Sequence, residues 1–228
     1  MRRPVSALAW RRWLRWLILA PLLYLALCTL GLVGLRLFDP LLTMVQMQRL
    51  VGAVFGPEKV ALHRDQVDLA RISPNLQHAV VASEDARFWT HHGIDFVELR
   101  EIAVEAAEDG ALPRGGSTIT QQLIKNLFFT THRNPLRKVA EFVLAPLAEL
   151  ILPKERILEL YLNNVEWGPG VYGAEAAAAY HYHHSAKTLT RDEALRLAAI
   201  LPAPLRWRPA RMSRSAANID VRMHQMGY

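Results

Sequence analysis

The sequence predicts an all-α domain carried on one N-terminal transmembrane helix. Three observations predict it: a twenty-residue uncharged run near the N-terminus, apolar residues at helical spacing through nearly all of the chain beyond residue 73, and helix caps and proline or glycine stops that divide that stretch into segments. The 228 residues, 51% of them hydrophobic, suffice for one domain of moderate size plus an anchor.

The uncharged run extends from Trp16 to Leu35. As a helix rising ~1.5 Å per residue it spans roughly 30 Å, about the hydrocarbon thickness of a bilayer. Arg2, Arg3, Arg11, Arg12 and Arg15 precede it, and only Arg36 closes it. That asymmetry predicts a cytoplasmic basic segment at 1–15, a transmembrane helix at 16–36 and a translocated remainder. The plain alternative is a cleaved signal peptide. The apolar run exceeds the ~7–15 residues of a signal core and no small-residue cleavage site follows it, so an uncleaved anchor is expected.

Charge follows the same division. Residues 1–40 hold six Arg against one Asp, and the remainder 21 basic against 20 acidic residues. The basicity sits beside the membrane helix, which suits anionic lipid and not nucleic acid. The one cysteine, Cys28, lies within the apolar run. Disulfides, cysteine metal sites and a thiol nucleophile are thereby excluded beyond it, and the domain, expected at 40–210, must be held by its core.

Within that domain Met44–Val54 reads as a helix, followed by a turn at Gly56-Pro57 and an extended stretch at Lys59–Leu69. Ser73-Pro74 reads as an N-cap with proline at the first helical position, and Leu76, Val80 and Val81 as the buried face of the helix it opens. A second helix is expected over Asp95–Asp109, with Phe96, Leu99, Ile102, Ala103 and Ala106 on one face, ending at Gly110. Pro113–Gly116 reads as a loop. Thr118 and Gln121 fit a capping box for a helix to about Phe129. Further helices follow over 135–152 with Pro146 inside, 153–165, an alanine-rich stretch after the glycines at 168–173, and 191–201. The last residues, 211–228, carry a basic stretch begun by Arg206 and Arg208 and continued by Arg211 and Arg214. It reads as a solvated tail in preference to a contact with anionic headgroups.

Three stretches carry chemistry. In Glu84-Asp85-Ala86-Arg87-Phe88-Trp89-Thr90-His91-His92-Gly93, two carboxylates adjoin aromatic residues. A carboxylate beside apolar rings acquires a raised pKa that suits a general base or acid, although a solvated helix end has the same look. In Gly115-Gly116-Ser117-Thr118-Ile119-Thr120-Gln121-Gln122-Leu123-Ile124-Lys125-Asn126, a glycine pair leads into a helix start rich in hydroxyls and amides. This is either a site for phosphate or sugar oxygens or an ordinary capped helix, and its spacing is not that of a nucleotide P-loop. In Arg133-Asn134-Pro135-Leu136-Arg137-Lys138-Val139-Ala140-Glu141, Arg137 and Glu141 are either an i,i+4 salt bridge or part of a cationic cluster that holds a pyrophosphate.

Together these stretches resemble the ordered signature motifs of the peptidoglycan glycosyltransferases, a lysozyme-like family found as monofunctional enzymes and fused to penicillin-binding transpeptidases. The first motif is complete at Glu84, Asp85, Phe88, His91 and Gly93. The second is complete at 115–122 with Lys125 and Asn126, and the third at Arg137, Lys138 and Glu141. A fourth continues from Lys154 through Glu159, Tyr161 and Asn163 to Gly173, and a fifth from Leu189 to Pro204. The resemblance spans about residues 60–210, and the short remainder suggests the monofunctional branch. His181-Tyr182-His183-His184 departs from the family's usual run, and its spacing brings no three imidazoles together, so no protein-bound metal is expected.

The resemblance implies a bilobal fold, a small lobe over residues 95–116 lying against the membrane, and polymerisation of lipid II into β-1,4-linked glycan with inversion and release of undecaprenyl pyrophosphate. Glu84 would act as the base, with Glu141 as the second catalytic carboxylate, which either orients the cationic cluster or helps hold a divalent cation (Mg or Mn) on the pyrophosphate. Asp85, Ser117, Thr118, Gln121, Gln122, Lys125, Asn126, Arg133, Arg137 and Lys138 would bind substrate. The expected setting is the bacterial inner membrane with the domain in the periplasm. Expected partners are lipid II, the growing lipid-linked strand and membrane lipids, with cell-division or elongation proteins as candidates and no nucleic acid. A lytic muramidase and an inactive membrane scaffold are the competing readings.

Overall fold

A computed structural model describes residues 7–55, 62–109, 116–132 and 134–228, with the side chains of 7–9, 11–14 and 109 left aside. Among them are ten helices: α1 Ala7–Leu35, α2 Met44–Phe55, α3 Pro74–Glu84, α4 Phe96–Asp109, α5 Ile119–Phe128, α6 Pro135–Ile151, α7 Lys154–Asn164, α8 Ala174–Tyr182, α9 Arg191–Ile200 and α10 Ser213–Gln225. The all-α expectation holds. The Gly56-Pro57 turn, the start of the expected extended stretch, most of the 110–116 loop and Arg133 lie outside the described residues.

Helix α1 contains an apolar span at Arg15–Leu35 and fits a membrane anchor. Leu17, Ile18, Leu22 and Leu23 are exposed, whereas Cys28, Leu32 and Leu35 are buried where α1 packs on α6. Helix α5 lies against both α6 and α7, with Ile119, Leu123 and Ile124 fully buried. Helix α3 packs on α9 and α10, and Leu76, Ala79, Val80, Val81 and Ala82 are buried on nearly all its sides. Helix α4 stands off this core: Phe96, Val97 and Val104 are exposed, and Leu99, Ile102 and Ala106 only half-buried. The face expected to be buried there is thus only partly covered.

Three local expectations are corrected. The Ser73 side chain does not cap α3; its hydroxyl donates to the Leu189 carbonyl at 3.0 Å, and proline at the first position needs no donor satisfied. Residues 211–228 are not a solvated tail. They contain α10, whose Ala216, Ile219 and Met223, three and four residues apart, are buried. Beyond α10 the Tyr228 ring stacks on His78 with centroids 4.0 Å apart, and the Trp89 indole donates to the Tyr228 hydroxyl at 3.1 Å. Finally, a small sheet not expected from the sequence joins β1 (His63–Arg64), β2 (Glu166–Gly168) and β3 (Val171–Tyr172) in the order β1-β3-β2, parallel for β1 and β3 and antiparallel for β2 and β3. Strands of two and three residues are too short to show alternation.

Candidate active site

The last residue of α3 is Glu84, and its partly buried side chain points toward α5. The Gln122 amide donates to Glu84 Oε2 at 2.9 Å, and the amide is aimed by Tyr161, whose hydroxyl donates to Gln122 Oε1 at 3.0 Å. Burial lifts the Tyr161 phenol well above its ordinary range, with Glu84 and Asp85 adding to the rise, so it is a firm donor. Burial also raises the Glu84 carboxyl above the usual carboxylate range; the Gln122 hydrogen bond and Lys125 pull against the rise, and Asp85 adds to it.

Asp85 faces the other way. Its carboxylate accepts from His91 Nε2 at 2.9 Å and from the Ile119 backbone N–H at 2.9 Å, at the open N-terminus of α5. His91 Nδ1 accepts from the Gly93 N–H at 3.1 Å, so the pattern requires the Nε2–H tautomer. Gly93 has φ +87°, and a Cβ there would come within 2.7 Å of the Ala145 backbone, which leaves only glycine. The Thr118 hydroxyl donates to the Gly93 carbonyl at 2.7 Å while accepting from Gln121 N in the expected capping box. The first two motifs are thereby locked together. Asp85 and Thr118, expected to touch substrate, are enclosed at 2% and 1% exposure, with their polar atoms engaged in these internal bonds.

Beside Glu84 lies a cavity of about 350 Å³ lined by Ser117, Gln121, Gln122, Lys125, Thr131, Arg137, Lys138 and Glu141. Glu141 is 3% exposed and pairs with Arg137 Nε and Lys138 Nζ, each at 3.3 Å. Lys138 Nζ also donates to Ser117 Oγ at 2.8 Å. Burial pulls the Lys125 ammonium below the usual lysine range; Glu141 and Glu84 oppose that, and Arg137 and Lys138 reinforce it. Gln121, among the lining residues, has its Nε2 buried without a hydrogen-bond partner.

Most of the expected site residues therefore converge: Ser117, Gln121, Gln122, Lys125, Arg137, Lys138 and Glu141 share one cavity, and Glu84 adjoins it through Gln122. Asn126 is buried and is not among the lining residues. Thr131 lines the cavity without having been expected; a threonine between motifs carries no signal of its own. Tyr161 stood in the fourth motif, but its link to Glu84 runs through Gln122, 39 residues away, and only the fold displays it. At the distant histidine run, His181 bonds the Trp167 carbonyl at 3.1 Å and His184 bonds Glu193 at 3.1 Å, a carboxylate partner that the local sequence did not reveal.

A family model described as transglycosylase matches residues 50–227. The chain is similar to a biosynthetic peptidoglycan transglycosylase of Nitrobacter hamburgensis, with 48% identity over 172 residues that cover 75% of this chain and 73% of the relative. It is 41% identical to the protein of that description in Pseudomonas aeruginosa over 197 residues, 85% and 84% of the two chains. With the one in Xanthomonas campestris pv. campestris it shares 42% identity over 222 residues, 95% and 90% of the two chains.

Proposed function

The chain belongs to the transglycosylase family, and from that premise we propose how its residues divide the work of polymerising peptidoglycan glycan strands. It is a glycosyltransferase. The observation that carries the proposal is one carboxylate with a raised pKa held at the edge of a cavity rich in cations.

The substrate is lipid II, and the donor is the growing strand, linked to its lipid through pyrophosphate. The 4-hydroxyl oxygen of the acceptor attacks the anomeric carbon of the donor as the bond to pyrophosphate breaks. The bonding electrons leave with the pyrophosphate, and the hydroxyl proton passes to Glu84. A single displacement inverts the α-linkage to β-1,4 and needs no enzyme nucleophile. A general base contributes typically ~10²–10⁴-fold. Lys125, Arg137 and Lys138, together with Arg133, offset the charge that grows on the leaving pyrophosphate. Glu141 holds Arg137 and Lys138 in place by its two ion pairs, and Ser117, Gln121 and Gln122 offer hydrogen bonds to sugar or phosphate oxygens.

Glu141 is the single carboxylate lining the cavity, with cationic side chains about it, and no group of three metal-ligating side chains occurs among the described residues. These residues do not fit a divalent cation held by the protein; such an ion on the pyrophosphate would take its ligands from phosphate oxygens. The arginines ahead of Trp16 favour a cytoplasmic N-terminus, and on this reading the domain works on the outer face of the inner membrane.

A lytic muramidase has no use for the cationic cavity, and a scaffold none for a buried carboxylate beside it. Labelled lipid II incubated with the full-length protein distinguishes them. Polymer formation that disappears in Glu84→Gln supports the transferase; shortening of preformed glycan with no polymer formed overturns it.

A further inference from the structure

Gln48, on α2, lies apart from both catalytic carboxylates in the chain, yet its side-chain amide closes on a cavity residue from two directions. The Thr131 N–H donates to Gln48 Oε1 at 2.9 Å, and Gln48 Nε2 donates to the Thr131 hydroxyl oxygen at 3.0 Å. Thr131 lines the cationic cavity, and its neighbour Thr130 offers its carbonyl to Arg137 Nη1 at 2.9 Å. Thr130 and Thr131 are thus gripped by α2 on one side and by one of the cavity's own cations on the other.

Helix α2 is itself held firmly. Thr43 and Gln46, both buried, form a reciprocal cap, with Gln46 N donating to Thr43 Oγ1 at 3.2 Å and Thr43 N to Gln46 Oε1 at 3.0 Å. Arg49 pairs with Glu166 at 3.1 Å. The segment joining α1 to α2 is clamped as well. Arg156 donates to the carbonyls of Leu35 at 2.9 Å and Phe38 at 3.0 Å and pairs with Asp39 at 2.8 Å, while Arg64 bonds the carbonyls of Pro40 and Leu41. A continuous set of contacts therefore runs from the end of the anchor helix through α2 to the rim of the cavity.

We propose that Gln48 is a positioning residue for pyrophosphate binding, setting the cavity rim at Thr131 from the helix that follows the membrane anchor. The inference rests on the reading of the cavity as the pyrophosphate site. A rim that meets the pyrophosphate in the ground state and in the transition state alike contributes uniform binding, so its loss raises KM and spares kcat.

The experiment is steady-state polymerisation of fluorescent lipid II by full-length protein in detergent, alongside titration of the same proteins with inorganic pyrophosphate. Losing these hydrogen bonds in Gln48→Ala is expected to raise KM and to weaken pyrophosphate binding by roughly three- to ten-fold. The melting temperature should hold and kcat should stay within about two-fold, since the pair is solvent-exposed. Thr131→Val should raise KM in its own right, and in the double variant its effect should fall short of adding to that of Gln48→Ala. Unchanged KM and pyrophosphate affinity in Gln48→Ala, or effects of the two substitutions that simply add, overturn the inference. Turnover by the unsubstituted protein tests the parent reading separately, while the pyrophosphate titration reads Gln48 without any turnover.

Discussion

Glu84 and Asp85 are neighbours in the chain and opposites in their surroundings. Asp85 accepts hydrogen bonds from His91 and the Ile119 N–H at the start of α5, whereas Glu84 has the Gln122 amide at 2.9 Å and a burial that works against its charge. Two carboxylates that look interchangeable on the page are thus a fastener and, in the proposed mechanism, the reactive group.

Replacing the reactive one separates activity from stability. Glu84→Gln is expected to lower kcat by ~10²–10⁴-fold. The folded-state pKa of Glu84 is raised, so ionisation disfavours the fold, and that cost appears as pH rises above the unfolded carboxylate range. At neutral pH the variant should therefore melt no lower than the parent, and at about pH 4 the two should coincide. Calorimetry over that range checks it.

Replacing the fastener does the reverse. Asp85→Ala leaves the Ile119 N–H and His91 without their buried acceptor, at a cost of about 3 kcal/mol. Chemical denaturation should show that loss. Gly93→Ala should cost at least ~2 kcal/mol, because positive φ and a backbone contact at 2.7 Å both oppose a Cβ.

The pH–rate profile should be a bell with both limbs drawn inward. Activity rises as Glu84 deprotonates, above the usual carboxylate range, and falls as Lys125 deprotonates, below the usual lysine range. The Gln122 hydrogen bond lowers the Glu84 pKa, so Gln122→Ala should move the acid limb to higher pH. Steady-state kcat/KM across pH measures both limbs.

Lys125→Met should cost ~10²–10³-fold in kcat, the scale for removing one group that stabilises developing negative charge. Because burial already disfavours the Lys125 charge in the folded state, the variant should keep its melting temperature at neutral pH.

The helices were legible where local rules agree: the Thr118–Gln121 capping box, proline at the start of α3 and the long apolar run of α1 all appear as expected. Gln122, Lys125, Arg137 and Glu141, singled out through the ordered motifs, line one cavity. The bond from Asp85 to the start of α5 was not legible, because nothing local distinguishes a carboxylate that caps a helix 34 residues onward from one that faces a groove. Helix α10 was missed because the arginines at 206, 208, 211 and 214 drew the reading toward a solvated tail, although Ala216, Ile219 and Met223 already stood at helical spacing. Gln48 bonds a residue 83 positions away, and no pattern within α2 announces it.

In the proposed mechanism one proton acceptor and one cationic cavity grip opposite ends of a single transfer. That mechanism is tested most directly by the crystal structure of the full-length protein with a non-reactive phosphonate analogue of the lipid-linked donor and an acceptor disaccharide. Phosphorus-bound oxygens are expected among Lys125, Arg137 and Lys138, with the acceptor 4-hydroxyl within ~3 Å of Glu84. Phosphorus bound outside that cavity, or an acceptor hydroxyl beyond the reach of Glu84, would contradict it.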